Sequence, residues 1–232
     1  MAGEKWPASP AQCVMVATAL FQKEDIVPDL VVSGINEGPN YSTASVVSGT
    51  VGAVQAGLNR LLQNVSIPGI ALSLANGATD IIATELSEWC VSLIEYLDIH
   101  RDSQDNLLPA GIGLNVNAPR TSHIGVTLNR AGQIFDVTST FQVIFTVNEG
   151  PDDTYDHSGV VVPTQPDIKY SNNTGVNDGY ITIVPMVSDF TVGACDMKNI
   201  CCKLDEIATT KCTICKNTSV LKKNAYATFE KL

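Results

Sequence analysis

The spacing of apolar residues along the first half of the chain alternates between strand-like and helix-like patterns. Short continuous apolar runs at residues 30–32 and 70–74 flank a longer apolar stretch at residues 51–62. Strands that are apolar on both faces are typical of a parallel sheet covered by helices on both sides. The pattern therefore predicts an α/β fold, with a three-layer Rossmann-like parallel sheet.

Two further helices are predicted from their apolar spacing and their caps. Thr79 and Asp80 precede a stretch in which apolar residues recur every three or four positions, as on one face of a helix. These residues are Ile82, Leu86, Trp89, Cys90, Leu93, Ile94 and Leu97. Near the start of the chain, Ser9 followed by Pro10 is typical of a helix entry, so the apolar residues 13–21 predict a core helix and not a secretion signal.

Beyond residue 110 the pattern becomes mainly β. Several stretches are rich in β-branched and apolar residues and predict strands. They are residues 112–117, 123–128, 134–147 and 180–186. Residues 150–177 are rich in Pro, Asp, Asn and Gly and predict a loop. The expected regions are an α/β core at residues 1–130, a β-rich C-terminal extension with a returning strand at residues 131–190, and a cysteine-rich tail at residues 191–232.

The acidic balance of the chain limits its partners. Its 232 residues are 44% hydrophobic and carry a formal net charge of −10. Nucleic-acid polymers and anionic membranes would be repelled by such a surface, so neither is an expected partner. No apolar run approaches the roughly 20 residues that a membrane-spanning helix needs. A small phosphate can still be held by backbone N–H groups, a helix N-terminus or a metal ion.

The tail contains five of the cysteines, which allow two interpretations. These cysteines are Cys195, Cys201, Cys202, Cys212 and Cys215. The pair Cys212 and Cys215 has the spacing of half a zinc site or of a redox pair, whereas five cysteines also allow two disulfides with one left over. Four glycosylation sequons favour the disulfides and favour a secretory compartment slightly over the cytoplasm. The sequons begin at Asn40, Asn64, Asn172 and Asn217.

Residues 28–50 carry the chemistry that the sequence singles out. A strand ends near Asn36, whose amide oxygen is a suitable ligand for a hard cation, and a glycine-rich loop leads to the amide of Asn40. Ser48, Gly49 and Thr50 then offer hydroxyl and N–H groups at a predicted helix start, which suits a phosphate. Each feature alone is an ordinary turn or helix cap, whereas together they predict one anion-binding site. The spacing is neither that of a Walker loop nor that of a dinucleotide-binding loop.

Three segments within residues 28–74 match one known family. They read Ser33-Gly34-Ile35-Asn36-x-Gly38-x-Asn40, Ser48-Gly49-Thr50-Val51-x-Ala53 and Ile70-Ala71-Leu72-Ser73. In this pattern the chain resembles the SurE survival-protein family. Two later segments are also similar to that family. They read Leu114-Asn115-Val116-Asn117-Ala118-Pro119 and Asp178-Gly179-Tyr180-Ile181-Thr182-Ile183-Val184-Pro185.

The resemblance implies a metal-dependent phosphatase or 5'-nucleotidase that acts on nucleoside monophosphates or other small phosphoesters. It implies a divalent metal, Mg²⁺ or Mn²⁺, with Asn36 as a ligand. It also implies that Asn40, Ser48, Gly49 and Thr50 hold the phosphate. A small phosphoester is thus the expected partner, and a homo-oligomer is compatible with the sequence.

The family domain opens with a strand ending in Asn-Asp-Asp-Gly, whose aspartates bind the metal. No counterpart precedes Ala8, so we expect the chain to begin partway through the family domain. Asp152 and Asp153 form the only Asp-Asp pair, which we interpret as part of a solvated turn. The sequence assigns no catalytic residue. The alternative to a hydrolase is an inactive phosphate-binding remnant or a truncated gene product.

Overall fold

The computed structural model describes residues 8–59, 65–132, 136–138, 141–149, 155–163 and 170–188. The chain divides into two units, Met1–Ser188 and Asp189–Leu232, and the described residues all lie in the first. The cysteine-rich tail and the pair Asp152 and Asp153 fall outside the described residues. The three regional boundaries expected from the sequence therefore stay predictions.

Helices and strands follow one another in an order close to the expected one. The helices are α1 (Pro10–Lys23), α2 (Gly49–Leu58), α3 (Asp80–Ile99) and α4 (Asn172–Asn177), with a 3₁₀ helix at Ser42–Val47. The strands are β1 (Val31–Glu37), β2 (Gly69–Leu74), β3 (Ile112–Ala118), β4 (Val126–Leu128), β5 (Asp136–Thr138), β6 (Phe141–Glu149), β7 (Tyr155–Pro163) and β8 (Ile181–Val187).

The main sheet has five strands in the order β1-β2-β3-β8-β4. Strands β1, β2 and β3 are parallel, and β4 is parallel to β8. The predicted α/β, Rossmann-like class is confirmed, with one difference: β8 runs antiparallel to β3. An antiparallel neighbour needs no long crossover helix, and the helix just before β8, α4, has only six residues.

Helices cover both faces of this sheet and form the three predicted layers. On one face, Val51, Val54 and Leu58 of α2 pack against Ala71 of β2. On the other, α3 packs on the strands through its buried residues Ile82, Leu86 and Cys90. Glycines in the strands let α2 approach closely: a Cβ at Gly113 would lie 2.7 Å from Val54 Cγ1, and one at Gly69 would lie 2.8 Å from the same atom.

Helix α1 begins where the sequence predicts. Ser9 accepts a hydrogen bond from the Gln12 N–H, the Gln12 side chain bonds back to the Ser9 N–H, and Pro10 occupies the first turn. The prediction that this is a core helix is wrong, because Thr18 is its only buried residue. Helix α1 packs on α2, and apolar residues on the rest of its surface stay exposed. They are Met15, Val16, Leu20 and Phe21.

A separate antiparallel sheet is formed by β5, β6 and β7. Its long hairpin pairs Phe141 with Pro163 at one end and Glu149 with Tyr155 at the other. The loop predicted at residues 150–177 is therefore wrong in part, since this range contains β7 and α4. The Pro- and Asp-rich composition of this range predicts a loop, although residues 160–162 are apolar and pair with β6. Such long-range pairing overrides local propensity.

Candidate active site

The polar residues of β1, β2 and β3 meet at one edge of the main sheet. The three strands are parallel, so their carboxyl ends lie together, as in other open α/β sheets whose ligands bind at that edge. Asn36 is paired in register with Ser73, and Ser73 with Asn117. The loop after β1 then places Asn40 over these strand ends.

Asn40 is the centre of a buried hydrogen-bond network. Its backbone N–H donates to Asn117 Oδ1 at 2.8 Å, and its side-chain Nδ2 donates to Ser73 Oγ at 2.8 Å. Its carbonyl oxygen accepts from Asn115 Nδ2 at 2.7 Å and from Ser45 Oγ at 3.0 Å. Ser73 and Asn117 have no exposed surface. A buried polar network of this kind holds one loop conformation, because an unpaired member would carry the full cost of its lost hydration.

Asn36 is half-buried at the end of β1. Its Nδ2 donates to the Gly38 carbonyl oxygen at 2.7 Å, which orients the amide and leaves Oδ1 as its remaining ligand atom. Gly38 has φ +125°, and a Cβ there would lie 3.6 Å from Asn76 Oδ1. The turn thus places Asn36, Gly38 and Asn76 beside one another, in a conformation that favours glycine.

The start of α2 has the features of an anion-binding helix end. Ser48 is the N-cap, and its Oγ accepts from the Val51 N–H at 3.1 Å, so its own hydroxyl hydrogen stays available. Gly49 and Thr50 form the first turn, where backbone N–H groups have no partner inside the helix. The Ser48 N–H donates to Ser45 O, and Ser45 Oγ donates to Asn40 O, so hydrogen bonds connect this helix start to the Asn40 network.

A cavity of about 250 Å³ lies between the end of β1 and the start of α3. Glu37 and Asp80 line it together with Gly38, Asn76 and Thr79. Thr79 occupies the N-cap position of α3 without a side-chain capping bond. The sequence did not single out Glu37 or Asp80 as functional. The structure places the carboxylates of Glu37 and Asp80 in the cavity beside the turn of Asn36 and Gly38.

Asn172, at the start of α4, also forms a hydrogen bond with the loop that follows β1. Its Oδ1 accepts from the Ser42 N–H at 3.1 Å and from the Gly132 N–H at 3.3 Å. Its side chain has no exposed surface, and Asn40 is 8% exposed. Glycosylation of either asparagine in the folded protein is therefore sterically excluded. The sequons at Asn64 and Asn217 lie outside the described residues.

The sequence predicts a role for Asn40 but not for its partners. Ser73, Asn115 and Asn117 stand in the segments that resemble the family, and their spacing alone assigns them no role. The available signal was their polarity inside otherwise apolar strands, because a buried polar side chain needs a hydrogen-bond partner. The pairing itself, with Asn40 separated from Asn117 by 77 positions, could not be found from local spacing.

Comparison with known proteins shows the family of the chain. The model of the family described as "Survival protein SurE" matches residues 4–138. The 5'-nucleotidase SurE of Gemmatimonas aurantiaca is 35% identical over 194 residues, covering 79% of this chain and 68% of that protein. The chain belongs to the SurE family. Another SurE-family relative, the 5'-nucleotidase SurE of Desulforudis audaxviator, is 34% identical over 126 residues, covering 54% of this chain.

A solved SurE structure agrees with the fold. The crystal structure of the SurE protein from Aquifex aeolicus superposes with a TM-score of 0.61 at 27% identity, covering 83% of this chain and 72% of that one. This SurE-family chain spans 44% of the Desulforudis relative and 67% of the Clostridium beijerinckii one. Within the part of the chain that the structure describes, no helix is long and apolar enough to cross a membrane.

Proposed function

We propose that this chain is a phosphoric monoester hydrolase of the 5'-nucleotidase type, which acts on nucleoside monophosphates and other small phosphoesters with the help of a divalent metal such as Mg²⁺ or Mn²⁺. Its SurE relatives bear the name 5'-nucleotidase. One structural observation supports the proposal most directly. Side chains of β2 and β3 converge on Asn40 at the carboxyl edge of the sheet, next to the start of α2.

Asn40, Ser48, Gly49 and Thr50 are the proposed phosphate-binding residues. The N–H groups of Gly49 and Thr50 and the Ser48 hydroxyl are donors, and the N-terminus of α2 adds a partial positive charge. The chain has a net charge of −10, and such neutral donors are a way to hold an anion that does not depend on lysine or arginine. Asn40 is held in place by Ser73 and Asn117, which keeps the loop ordered before the phosphate binds.

Asn36 is the proposed metal ligand, through Oδ1. One neutral oxygen is too little for Mg²⁺, which proteins bind through one or two carboxylates. No group of three or more His, Cys, Asp or Glu residues suited to a metal occurs among the described residues. The ligands that the described residues offer are therefore too few for a complete metal site. Metal-assisted hydrolysis needs carboxylate ligands in addition to Asn36.

The same shortage favours a second candidate, phosphoester binding without hydrolysis. The donors at Asn40 and at the start of α2 do not depend on a metal, so they can hold a phosphate in a chain that does not turn it over. The two candidates share the binding residues and differ only in catalysis. Turnover therefore distinguishes them.

The deciding experiment measures phosphate release from nucleoside monophosphates by the purified chain, with Mg²⁺ or Mn²⁺, with a chelator, and with the variant Asn36→Ala. A hydrolase gives turnover that the chelator stops and that Asn36→Ala reduces at least about tenfold, the usual scale for a lost metal interaction. Absence of turnover from a folded chain that still binds phosphate supports the second candidate.

Phosphate binding is tested separately by calorimetry with inorganic phosphate. Ser48→Ala is expected to weaken binding, because it removes a hydroxyl donor at the start of α2. Ser87→Ala, the same change at an exposed position on α3, is the matched control and is expected to leave binding unchanged. Equal phosphate affinity in the wild-type chain and Ser48→Ala would contradict the placement of the phosphate.

A further inference from the structure

A second, larger cavity of about 590 Å³ opens beside the candidate site. It lies between the loop after β2, the end of β3 and the end of α4. Its lining includes Tyr41, Asn76, Pro119, Arg120, Thr121 and Asn177. The volume is within the roughly 300–1,000 Å³ typical of small-molecule sites and exceeds what a phosphate alone needs.

The cavity shares lining residues with the smaller cavity at the candidate site. Asn76 lines both cavities and lies beside Gly38, whose carbonyl oxygen holds Asn36. Tyr41 directly follows Asn40, and Pro119 lies two residues after Asn117. A ligand whose phosphate binds at Asn40 therefore has this cavity as adjoining space for the rest of the molecule.

Arg120 adds a positive charge to the lining of the cavity. It forms no ion pair with any residue that the structure describes, and none of the described lining residues is acidic. By contrast, Arg101 pairs with Asp98 at 2.8 Å and with Asp29 at 3.2 Å, and the smaller cavity contains Glu37 and Asp80. An unpaired guanidinium in a protein with a net charge of −10 suits an anion or an aromatic ring, on which its planar group can stack.

We propose that this cavity binds the nucleoside part of a nucleoside monophosphate, with Arg120 stacking on the base. The side-chain amides of Asn76 and Asn177 carry both donors and acceptors, as the edge of a base and a ribose require. Pro119 and Val176 supply apolar surface. The inference rests on the proposed function in one respect, since it places the leaving group of that same phosphoester. It makes Arg120 a specificity-determining residue.

The test compares adenosine, AMP and ribose 5-phosphate as ligands of the intact chain, by ligand-observed NMR and calorimetry. AMP is expected to bind about tenfold more tightly than ribose 5-phosphate, the scale of one stacked base. Arg120→Met is expected to remove this advantage and the adenosine signal, while ribose 5-phosphate binds as before. Arg130→Met removes the same charge from a residue outside the cavity lining and should change none of the three.

The ligands separate a failure of the inference from a failure of the proposed function. Two outcomes would refute the nucleoside cavity without contradicting the phosphate site. One is equal affinity for AMP and ribose 5-phosphate, and the other is tighter AMP binding that is unchanged in Arg120→Met. Arg120-dependent adenosine binding without binding of either phosphate compound would support the cavity and refute the phosphate site. If neither adenosine nor AMP binds, the cavity is not a nucleoside site.

Discussion

Asn40 donates its side-chain N–H to the hydroxyl oxygen of Ser73 at 2.8 Å, and both residues are buried. This hydrogen bond joins the loop after β1 to the carboxyl end of β2. Ser73 lies in a strand whose six residues are all buried, so it cannot turn toward water to find another partner. The pair therefore fixes the position of the proposed phosphate-binding loop on a rigid part of the sheet.

Replacing Ser73 with Ala is expected to lower the free energy of unfolding by about 1–3 kcal/mol, because Asn40 Nδ2 stays buried and loses its acceptor. Denaturant titration measures the change. Ser33→Ala is the matched control on the neighbouring strand, since the Ser33 hydroxyl makes no hydrogen bond with a described residue. Equal losses in the two variants would show that the Asn40 contact contributes nothing.

Local patterns located most of the main sheet and its helices. Capping residues predict where two helices start, at Ser9 for α1 and at Thr79 for α3. Continuous apolar runs predict the strands at residues 70–74 and 112–117. Both signals act over a few positions. The direction of β8 and the pairing of β6 with β7 depend on contacts between distant segments. Those contacts leave no local pattern, so the sequence alone did not predict them.

The candidate site is likewise predicted from the sequence only in part. Asn36, Asn40 and Ser48 could be named because they stand in a short motif at a strand end and a helix start. The structure connects Asn40 to Ser48 through Ser45, and it adds Ser73, Asn117 and the carboxylates Glu37 and Asp80. These additions come from strands and helices brought together by the fold, which spacing along the chain does not encode.

Gly113 is expected to tolerate no side chain, because its Cβ would lie 2.7 Å from Val54 Cγ1 and 3.1 Å from Leu58 Cδ1. Gly113→Ala should lower the free energy of unfolding by about 1–3 kcal/mol, the usual cost of overpacking a core. The cost should shrink in a Val54→Ala background, where the opposing methyl groups are gone. A double-mutant cycle by denaturant titration measures this coupling.

Gly52, unlike Gly113, has room for a side chain. A Cβ there would meet only Ala11 Cβ, at 4.0 Å, and Gly52 lies inside α2. Gly52→Ala is therefore expected to raise the free energy of unfolding by about 0.5–1 kcal/mol, because alanine loses less backbone entropy in a helix. Similar destabilisation by Gly52→Ala and Gly113→Ala would show that the cost at Gly113 is not steric.

The two described cysteines are expected to react with alkylating reagents at different rates. Cys13 is exposed on α1, whereas Cys90 is buried on the side of α3 that packs on the sheet, and its burial raises the pKa of its thiol. Since the thiolate is the reactive form, Cys90 should be modified only when the protein unfolds. Peptide mass mapping after brief iodoacetamide treatment measures both sites, and comparable modification of Cys13 and Cys90 in the folded chain would contradict the packing of α3.

Asp102 is expected to make the stability of the turn after α3 dependent on acidic pH. Its carboxylate accepts the backbone N–H of Asn106 at 3.0 Å, the Asn106 side-chain amide at 3.1 Å and the Gln104 N–H at 2.8 Å. These bonds, led by that from the Asn106 backbone, lower the pKa of Asp102 below its ordinary value. The stabilisation should be fully present above the unfolded pKa of about 3.9 and be lost as pH falls through the lower folded value.

Asp102→Asn isolates this contribution, because the amide keeps the shape of the side chain and removes its charge and its titration. The difference in melting temperature between wild type and Asp102→Asn should be constant above about pH 5 and shrink below the unfolded pKa of about 3.9. Glu88→Gln, on the exposed side of α3, controls for the loss of one negative charge from a chain with a net charge of −10. A difference that stays the same from pH 7 to pH 2 would mean that the Asp102 hydrogen bonds do not favour its charged form.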